Sequence, residues 1–530
     1  MPKNANPSSS RRWPVLIAGG GPVGLTLAAL LARQGVRSRV IEADDSYCTG
    51  SRAICLSRRS QEILAWAGAE AALARTGLPW SGGRTFWRDA QVLHFELAGE
   101  PTQRFAPMIN IQQYHVEQFV HEALQAAPEL ALVSWGARVT AVRPGDGGVE
   151  VDVAGPGGAE MLHAQFLVAC DGAGSTVREQ LGLQLEGTRY EGRCVVVDIV
   201  QKSDRPVERL VWFDPPSNPG GTVVMDRQPG GVWRIEYQLG PDEDPRTAAQ
   251  PEQVLPRVRS HLAMLGEHEP WEPLWTSVYG ARCLTLRDYR CGRVFFAGDA
   301  AHLLPIFGVH GLNCGLEDAG NLAWKLARVV AGDAPDALLD SYSAERVPAV
   351  REYLAHGARR TEFMTPPGLA SRLMREAALR LAATEPSLRT LIHPMPTAPA
   401  AYPASPLNLP QQGDWTSDMA APGQIAPEAL LAAPHGDWHL TQCFGKESVC
   451  LVFGDGPLPQ AIADLTQHGI AVLDIPPEAD RLGQARERYG LARARAQGLV
   501  LVRPDGHVMG RWRGLDPSAL LAALNGKGLA

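Results

Sequence analysis

Three glycine-marked segments carry residues of the right type and spacing to grip a dinucleotide: GGGPVG at 19–24, CDGAGSTVR at 170–178 and AGDAAHLLPIFGVHG at 297–311. Gly19 permits a tight turn, Gly21 lets the backbone approach a diphosphate, and Gly24 lets the next helix pack on the preceding strand. Glu42 follows Gly24 by 18 residues. A carboxylate there accepts hydrogen bonds from ribose hydroxyls and would repel a 2′-phosphate. Asp171 with Gly172, and Gly298 with Asp299, each end an apolar run. An Asp at the carboxyl end of a parallel strand faces the crevice where such sheets bind ligands. One glycine fingerprint is weak evidence, but three strand ends converging on one extended ligand point to non-covalent FAD.

Positioning these residues requires specific elements. Residues 15–18 form a short apolar run suited to a buried parallel strand. A helix over 22–34 has Pro22 in its first turn and Gly35 beyond its end. Its N-terminal amides can hold the diphosphate. Residues 39–41, 165–169 and 293–297 read as further strands. After a loop at 305–313, a helix is expected to begin near Gly315, with the amides of Gly311, Leu312 and Asn313 at its N-terminus. These would sit against the flavin pyrimidine edge and stabilise negative charge on the reduced ring. Residues 194–200, 210–213, 222–225 and 232–238 alternate like antiparallel strands between Pro/Gly turns. On the last, Trp233, Ile235 and Tyr237 share one face, and Arg234 and Glu236 the other. The aromatic face reads first as core, yet Tyr237 and either Arg227 or Arg234 are candidates for positioning a bound small molecule. Long amphipathic helices are expected from Ser341 to about residue 390.

A chain of 530 residues is too long for one core, so two or three domains are expected. The net charge of −7 argues against nucleic-acid binding, which favours a basic face. The nine cysteines include no C-x-x-C and no metal-ligand spacing, so no metal or redox dithiol is indicated, and reduced thiols suit the cytoplasm. Ser10-Arg11-Arg12-Trp13 before 18 uncharged residues resembles an export signal or short membrane span. Four glycines and a proline interrupt that stretch, and the dinucleotide pattern accounts for it better. Residues 1–12 read as a disordered tail of a soluble protein.

Together the three motifs resemble the single-component flavoprotein aromatic hydroxylases, the family of para-hydroxybenzoate hydroxylase. The closer likeness is to the branch of 3-(3-hydroxyphenyl)propionate hydroxylase, phenol hydroxylase and the polyketide hydroxylases, over residues 13–400. The resemblance assigns Arg52, in Ser51-Arg52-Ala53, to the FAD diphosphate and Gln113 to the ribityl chain. It assigns Asp171, Gly172 and Arg178 to a motif serving FAD and NAD(P)H. Gly298 to His302 match the second FAD motif, continued by Asp318, Asn321 and Lys325. The family often has two prolines after the His and then a Gly-Gly-Gln-Gly run. Here Ile306 and Phe307 stand in a substrate-lining stretch, and His310 replaces a glutamine beside the flavin. His310 therefore reads either as a locally bonded loop residue or as a group acting near the flavin or phenol.

The resemblance implies an NADPH- or NADH- and O2-dependent monooxygenase that hydroxylates a phenol through a C4a-hydroperoxyflavin, ortho to an existing hydroxyl. Such chemistry needs exclusion of water and a well-oriented ring more than an acid–base triad. Baeyer–Villiger oxidation or epoxidation of a polyketide-like substrate is the alternative, and a non-catalytic flavin-binding protein is the alternative of another class. A flavin disulfide reductase would need a cysteine pair, and a flavin halogenase a W-x-W-x-I-P run; the sequence has neither.

The implied fold is an α/β Rossmann-type FAD-binding domain in two parts, residues 13–185 and 284–400, the second carrying the long helices. An antiparallel β-sheet substrate domain at 186–283 separates them. Residues 400–420 read as a linker or extended connection. Beyond them a β-α-β-α-β-β-α pattern over 421–530 resembles the thioredoxin-like tail of the phenol hydroxylase branch. Cys443 and Cys450 are too far apart for thioredoxin chemistry, so this tail is expected to be structural and to contribute to a homodimer.

Overall fold

The computed structural model describes residues 12–528 except 51, 98, 383, 393–397 and 493–495. Residues 1–11 of the expected tail, and Ser51, lie outside the described residues.

An eight-stranded sheet is built around Trp13–Ala18, which runs parallel to Gly158–Ala169 on one side and Ser38–Ile41 on the other. Val15, Leu16 and Ile17 are fully buried, because helices cover both faces of a parallel strand. Val294–Phe296 extends the parallel order beside Gly158–Ala169, and Ala131–Ser134 extends it beside Ser38–Ile41. Gly298-Asp299, Asp171, Gly19 and Glu42 thus leave four adjacent parallel strands at the same edge.

The second sheet also has eight strands. Its order is His302–Leu303, Trp271–Thr285, Glu186–Gln201, Val232–Gln238, Thr222–Gln228, Arg209–Phe213, Gly82–Trp87 and Ala90–Glu96. It is mixed, since Arg209–Phe213 and Gly82–Trp87 pair in parallel. The expected sheet included 210–213 but lacked the upstream strands Gly82–Trp87 and Ala90–Glu96, because pairing between distant segments leaves no mark in local alternation. One face packs under the helix Pro251–Met264, joining Val195, Val197, Trp233, Ile235 and Tyr237 to Val254, Val258 and Leu262. The other face turns toward the first sheet.

The helix His310–Ala331 starts at His310, earlier than Gly315. Gly315 is an interior position of close approach, not a start signal. A Cβ there would lie 2.6 Å from Val23 and 3.2 Å from the Gly298 Cα. The helix ends at Gly332, in the left-handed conformation that closes many helices. Asp340–Met364 packs against it, and Leu369–Ala382 follows after Pro366 and Pro367.

Near the C-terminus, Ile470–Asp474, Ser448–Phe453, Gly498–Val502 and Val508–Arg513 form a four-stranded sheet in that order. The first pair is parallel and the other two are antiparallel. Residues 400–425 lie along its edge rather than hanging free. Leu409 N donates to Met509 O at 2.7 Å, Gln412 N donates to Arg511 O at 3.0 Å, and Leu407 and Leu409 are buried. The unit docks on the first sheet's helices: Trp66 Nε1 donates to Thr441 O at 3.3 Å. Among the described residues no helix is long and apolar enough to cross a membrane.

Candidate functional site

A cavity of about 920 Å3 opens between the two sheets. At its first end the chain is shaped by three glycines with different duties. Gly19 has φ +102°, and a Cβ there would lie 2.3 Å from the Cys170 carbonyl oxygen; at Gly24 it would lie 2.0 Å from that of Gly19. Both are required by the protein's own packing. A Cβ on Gly21 would meet nothing within 4 Å. Gly21 faces the cavity, so its bare backbone admits something that approaches from outside the chain.

Pro22 begins the helix whose N-terminus borders the cavity. The Glu42 carboxylate accepts from Gly20 N and, at 2.8 Å, from Asp44 N. Arg52 lines the wall, as does Gln113. Gln113 Nε2 donates to Glu117 Oε1 at 2.9 Å, its Oε1 accepts from Ala53 N at 3.3 Å, and Glu117 accepts from Cys48 N. These bonds pin the segment that carries Arg52.

Asp171 and Gly172 also line the cavity. Asp171 Oδ2 accepts from Val177 N at 3.1 Å, while Oδ1 is buried with no hydrogen-bond partner among the described residues. Burial pushes this carboxyl up in pKa, with Ser175 and Val177 pulling the other way. Asp299 is open to the cavity and otherwise enclosed. Burial raises its pKa, and His302, Arg52 and Arg282 oppose that. An unpaired acceptor in such a place is costly unless a ligand donor completes it, and ribose or ribityl hydroxyls are donors of that kind. The residues present therefore fit FAD.

Between the two ends stands the N-terminus of His310–Ala331. Gly311 and Leu312 line the cavity, and no side chain caps the helix. Its first amides are left for a ligand. Val309, just before it, has φ +55°, a left-handed conformation that strains a β-branched residue. Asn313 holds that turn. Its Nδ2 donates to Val309 O and to Cys55 O, while its Oδ1 accepts from Ser57 N and Ser60 Oγ. The Asn313 side chain is thus spent on the protein. Arg178 is spent likewise, on Ala300 O at 3.0 Å and Ala173 O at 2.6 Å, and it does not line the cavity.

The second end is walled by the inner face of the second sheet. Arg234 and Glu236 come from Val232–Gln238, Arg209 from its own strand, and Trp275, Ser277 and Tyr279 from Trp271–Thr285. Arg234 Nε pairs with Asp198 at 3.1 Å, its Nη1 donates to Arg52 O at 2.7 Å, and its Nη2 has no hydrogen-bond partner among the described residues. Arg209 pairs with Asp226 at 3.0 Å. Burial raises the Glu236 pKa, against Arg234 and Arg209.

Tyr237 lies on the opposite face, buried beneath Pro251–Met264, and does not reach the cavity. Arg227 stands across from Trp233 on that same face, with Nη1 on Arg205 O. These two candidates are corrected: strand alternation separated the faces properly, but the helix packed on the aromatic one. Ile306 lines the main cavity, whereas Phe307 lines a smaller neighbour. His310 lines the cavity and stacks on Tyr353 at 4.9 Å. Its Nε2 has no hydrogen-bond partner among the described residues, and burial with Arg360 and His356 pulls its pKa down to about 4, so the ring is neutral near pH 7.

Two buried ionic networks brace this helix, and sequence reasoning missed most of their members. In the first, Asp318 accepts from His302 Nε2 at 2.6 Å, from Gly298 N at 2.9 Å and from Arg346 Nε at 2.7 Å. His302, Cys314 and Asp318 converge as a metal trio could. Arg346, 3.1 Å from Cys314 Sγ, already supplies the cation. In the second, Lys325 Nζ meets Glu345 and Asn321 at 2.7 Å, and Glu345 meets Arg503 Nη1 at 2.6 Å. Arg503 continues to Asp505, which accepts from Trp324 Nε1 at 3.2 Å. Glu345 and Arg346 carry no local motif, and the turn at 504–506 gives no sign that Arg503 and Asp505 meet them.

The model of the FAD binding domain family matches residues 12–356. The chain belongs to that family. It is 31% identical to 6-methylpretetramide 4-monooxygenase of Streptomyces rimosus, over 96% of this chain and 92% of the relative. It is also 31% identical to 3-(3-hydroxy-phenyl)propionate/3-hydroxycinnamic acid hydroxylase of Mycolicibacterium smegmatis, over 74% and 70%. The fold is shared with the flavin-dependent monooxygenase PieE, solved with FAD and substrate. The TM-score is 0.84 at 23% identity, covering 98% of this chain and 100% of that one. The protein is a flavoprotein monooxygenase with FAD as cofactor.

Proposed function

We propose that the enzyme hydroxylates a phenolic small molecule ortho to an existing hydroxyl, with NADPH or NADH and O2 as co-substrates. The observation that carries this is the single cavity joining the glycine turn to the Arg234–Glu236 face of the second sheet, with an uncapped helix N-terminus between. FAD, when bound, supplies reduction by NAD(P)H and activation of O2. The chain's own residues bind, orient and shield. Gly21 and the helix begun by Pro22 receive the diphosphate, with Arg52 beside them. Glu42 takes the ribose, and Gln113, Asp171 and Asp299 take hydroxyls of the connecting chain. The Gly311 and Leu312 amides hold the flavin edge, where negative charge is favoured by the helix dipole. The ring of the substrate lies between that edge and Arg234, Glu236, Ile306 and His310. Walls of Val196, Trp275 and Ile306 limit water, as such chemistry requires.

A polyketide-like substrate is the second reading, favoured by the relative named for 6-methylpretetramide. We further infer a thioredoxin-like structural domain over 421–530, supported by the order and directions of its four strands. Burial raises the thiol pKa of both Cys443 and Cys450, which suits a structural role. The FAD-binding domain is read as 13–185 with 284–400, and the substrate domain as 186–283 with strands borrowed from 82–96. A cytoplasmic homodimer completes the reading. The test is a screen of phenols for substrate-stimulated NAD(P)H oxidation, followed by product mass. A gain of one oxygen is expected; consumed substrates that never gain it would refute hydroxylation.

A further inference from the structure

Beside the main cavity lies a smaller one of about 40 Å3, and Arg209 lines both. Its apolar walls include Phe213, Phe307, Phe363 and Met364, and one side chain, Arg360, brings a second positive charge. A water needs roughly 10–15 Å3 of such space. The smaller cavity therefore admits a carboxylate or a few waters, and no aromatic ring.

Arg360 differs from the other arginines of this region. Arg209 has Asp226, Arg234 has Asp198, and Arg346 has Asp318 and Glu317. Among the described residues Arg360 has no acidic partner within ion-pair distance, and its Nη1 is buried without a hydrogen bond. Burial together with the neighbouring Arg209 and Arg359 pulls its pKa down to about 10. A guanidinium held against apolar walls without a counter-charge is costly, and an anion brought by a ligand would relieve it.

We propose that Arg360 binds the carboxylate of an aromatic acid whose ring lies at the sheet end of the main cavity. This rests on the hydroxylation reading above and narrows its substrate class to phenols with a short acidic side chain. Arg209, on the shared wall, marks where that side chain passes from one cavity to the other. Phe307 and Phe363 flank its apolar portion.

The test titrates the FAD-loaded enzyme with 3-hydroxyphenylacetate, 3-(3-hydroxyphenyl)propionate and the carboxamide of each, following the flavin absorbance. The acids are expected to bind at least about tenfold more tightly than the amides, the scale of one charge-assisted hydrogen bond. R360Q should weaken the acids to the level of the amides, and R360K should recover part of the preference. Equal binding of acid and amide, no binding of either acid, or an acid preference unchanged in R360Q would overturn the proposal. Should R360Q lose FAD, the wild-type comparison and R360K decide it. Product mass is read separately. Acids held through Arg360 but never oxygenated would sink the hydroxylation reading alone. Neutral phenols hydroxylated with no acid preference would sink the carboxylate site alone.

Discussion

The two ends of the main cavity are built from different material. The end bearing Gly19, Gly21, Glu42, Asp171 and Asp299 is made mainly of backbone: bare glycines, helix N-termini and carboxylates at the tips of parallel strands. The end bearing Arg209, Arg234, Glu236 and Trp275 is made of side chains projecting from one face of a mixed sheet. A backbone-built site serves any ligand with a diphosphate and hydroxyls, so it suits a cofactor. A side-chain-built site changes its chemistry with single substitutions, so it suits substrate selection. The helix His310–Ala331 belongs to both. Its first turn faces the cavity, and its later turns are gripped by the Lys325–Glu345–Arg503 network.

The largest effect should come from breaking the backbone end. Gly24→Ala places a Cβ 2.0 Å from the Gly19 carbonyl oxygen, so the turn must shift. Purified protein should lose its flavin absorbance. Activity should fall by roughly 100-fold or more, the cost of an ångström-scale misplacement. A yellow, fully active G24A enzyme would show that the turn tolerates movement.

Next in size is the brace shared by both ends. Arg503→Met leaves Glu345 and Asp505 short of a buried cation, which should cost about 3–5 kcal/mol in a thermal or denaturant melt. The pH dependence has a definite sign. Burial would raise the Glu345 pKa, but Arg503 and Lys325 outweigh it and lower it from 4.5 to about 2. A depressed carboxylate contributes stability above its unfolded pKa and loses it as pH falls through the folded one. The stability gap between wild type and Glu345→Gln should therefore be full above pH 4.5 and close toward pH 2. A gap independent of pH would remove Glu345 from that role.

The smallest effects sharpen the contrast between the two faces of one strand. Glu236→Gln, on the cavity face, should raise the substrate KM by about tenfold while FAD content stays normal, as expected for losing one charged contact. Tyr237→Phe, the next residue of the same strand but beneath Pro251–Met264, should alter KM and kcat by less than about twofold, since its hydroxyl has no hydrogen-bond partner among the described residues. Steady-state kinetics on both variants would decide, and equal effects would erase the distinction.

Legibility followed the same division. Gly21 and Asp299 could be read because a tight turn or a strand-end carboxylate is encoded within a few neighbouring residues. Strand alternation separated Arg234 from Tyr237, but which face met the cavity depended on where Pro251–Met264 settled. Arg360 is one of 50 basic residues with no local signature, and only the packing of Asp340–Met364 beside Phe213 sets it at a cavity wall. Gly315 was misread as a helix start because glycine disfavours helix interiors, while the tertiary need for close approach to Gly298 was invisible. By itself the sequence determined the Rossmann turn, the strand-end carboxylates and with them the cofactor, because backbone conformations are dictated by adjacent residues. Tertiary structure decided the substrate wall, the buried ionic brace and the lone Arg360, because each joins side chains from segments far apart in the chain, whose meeting depends on strand register and helix packing.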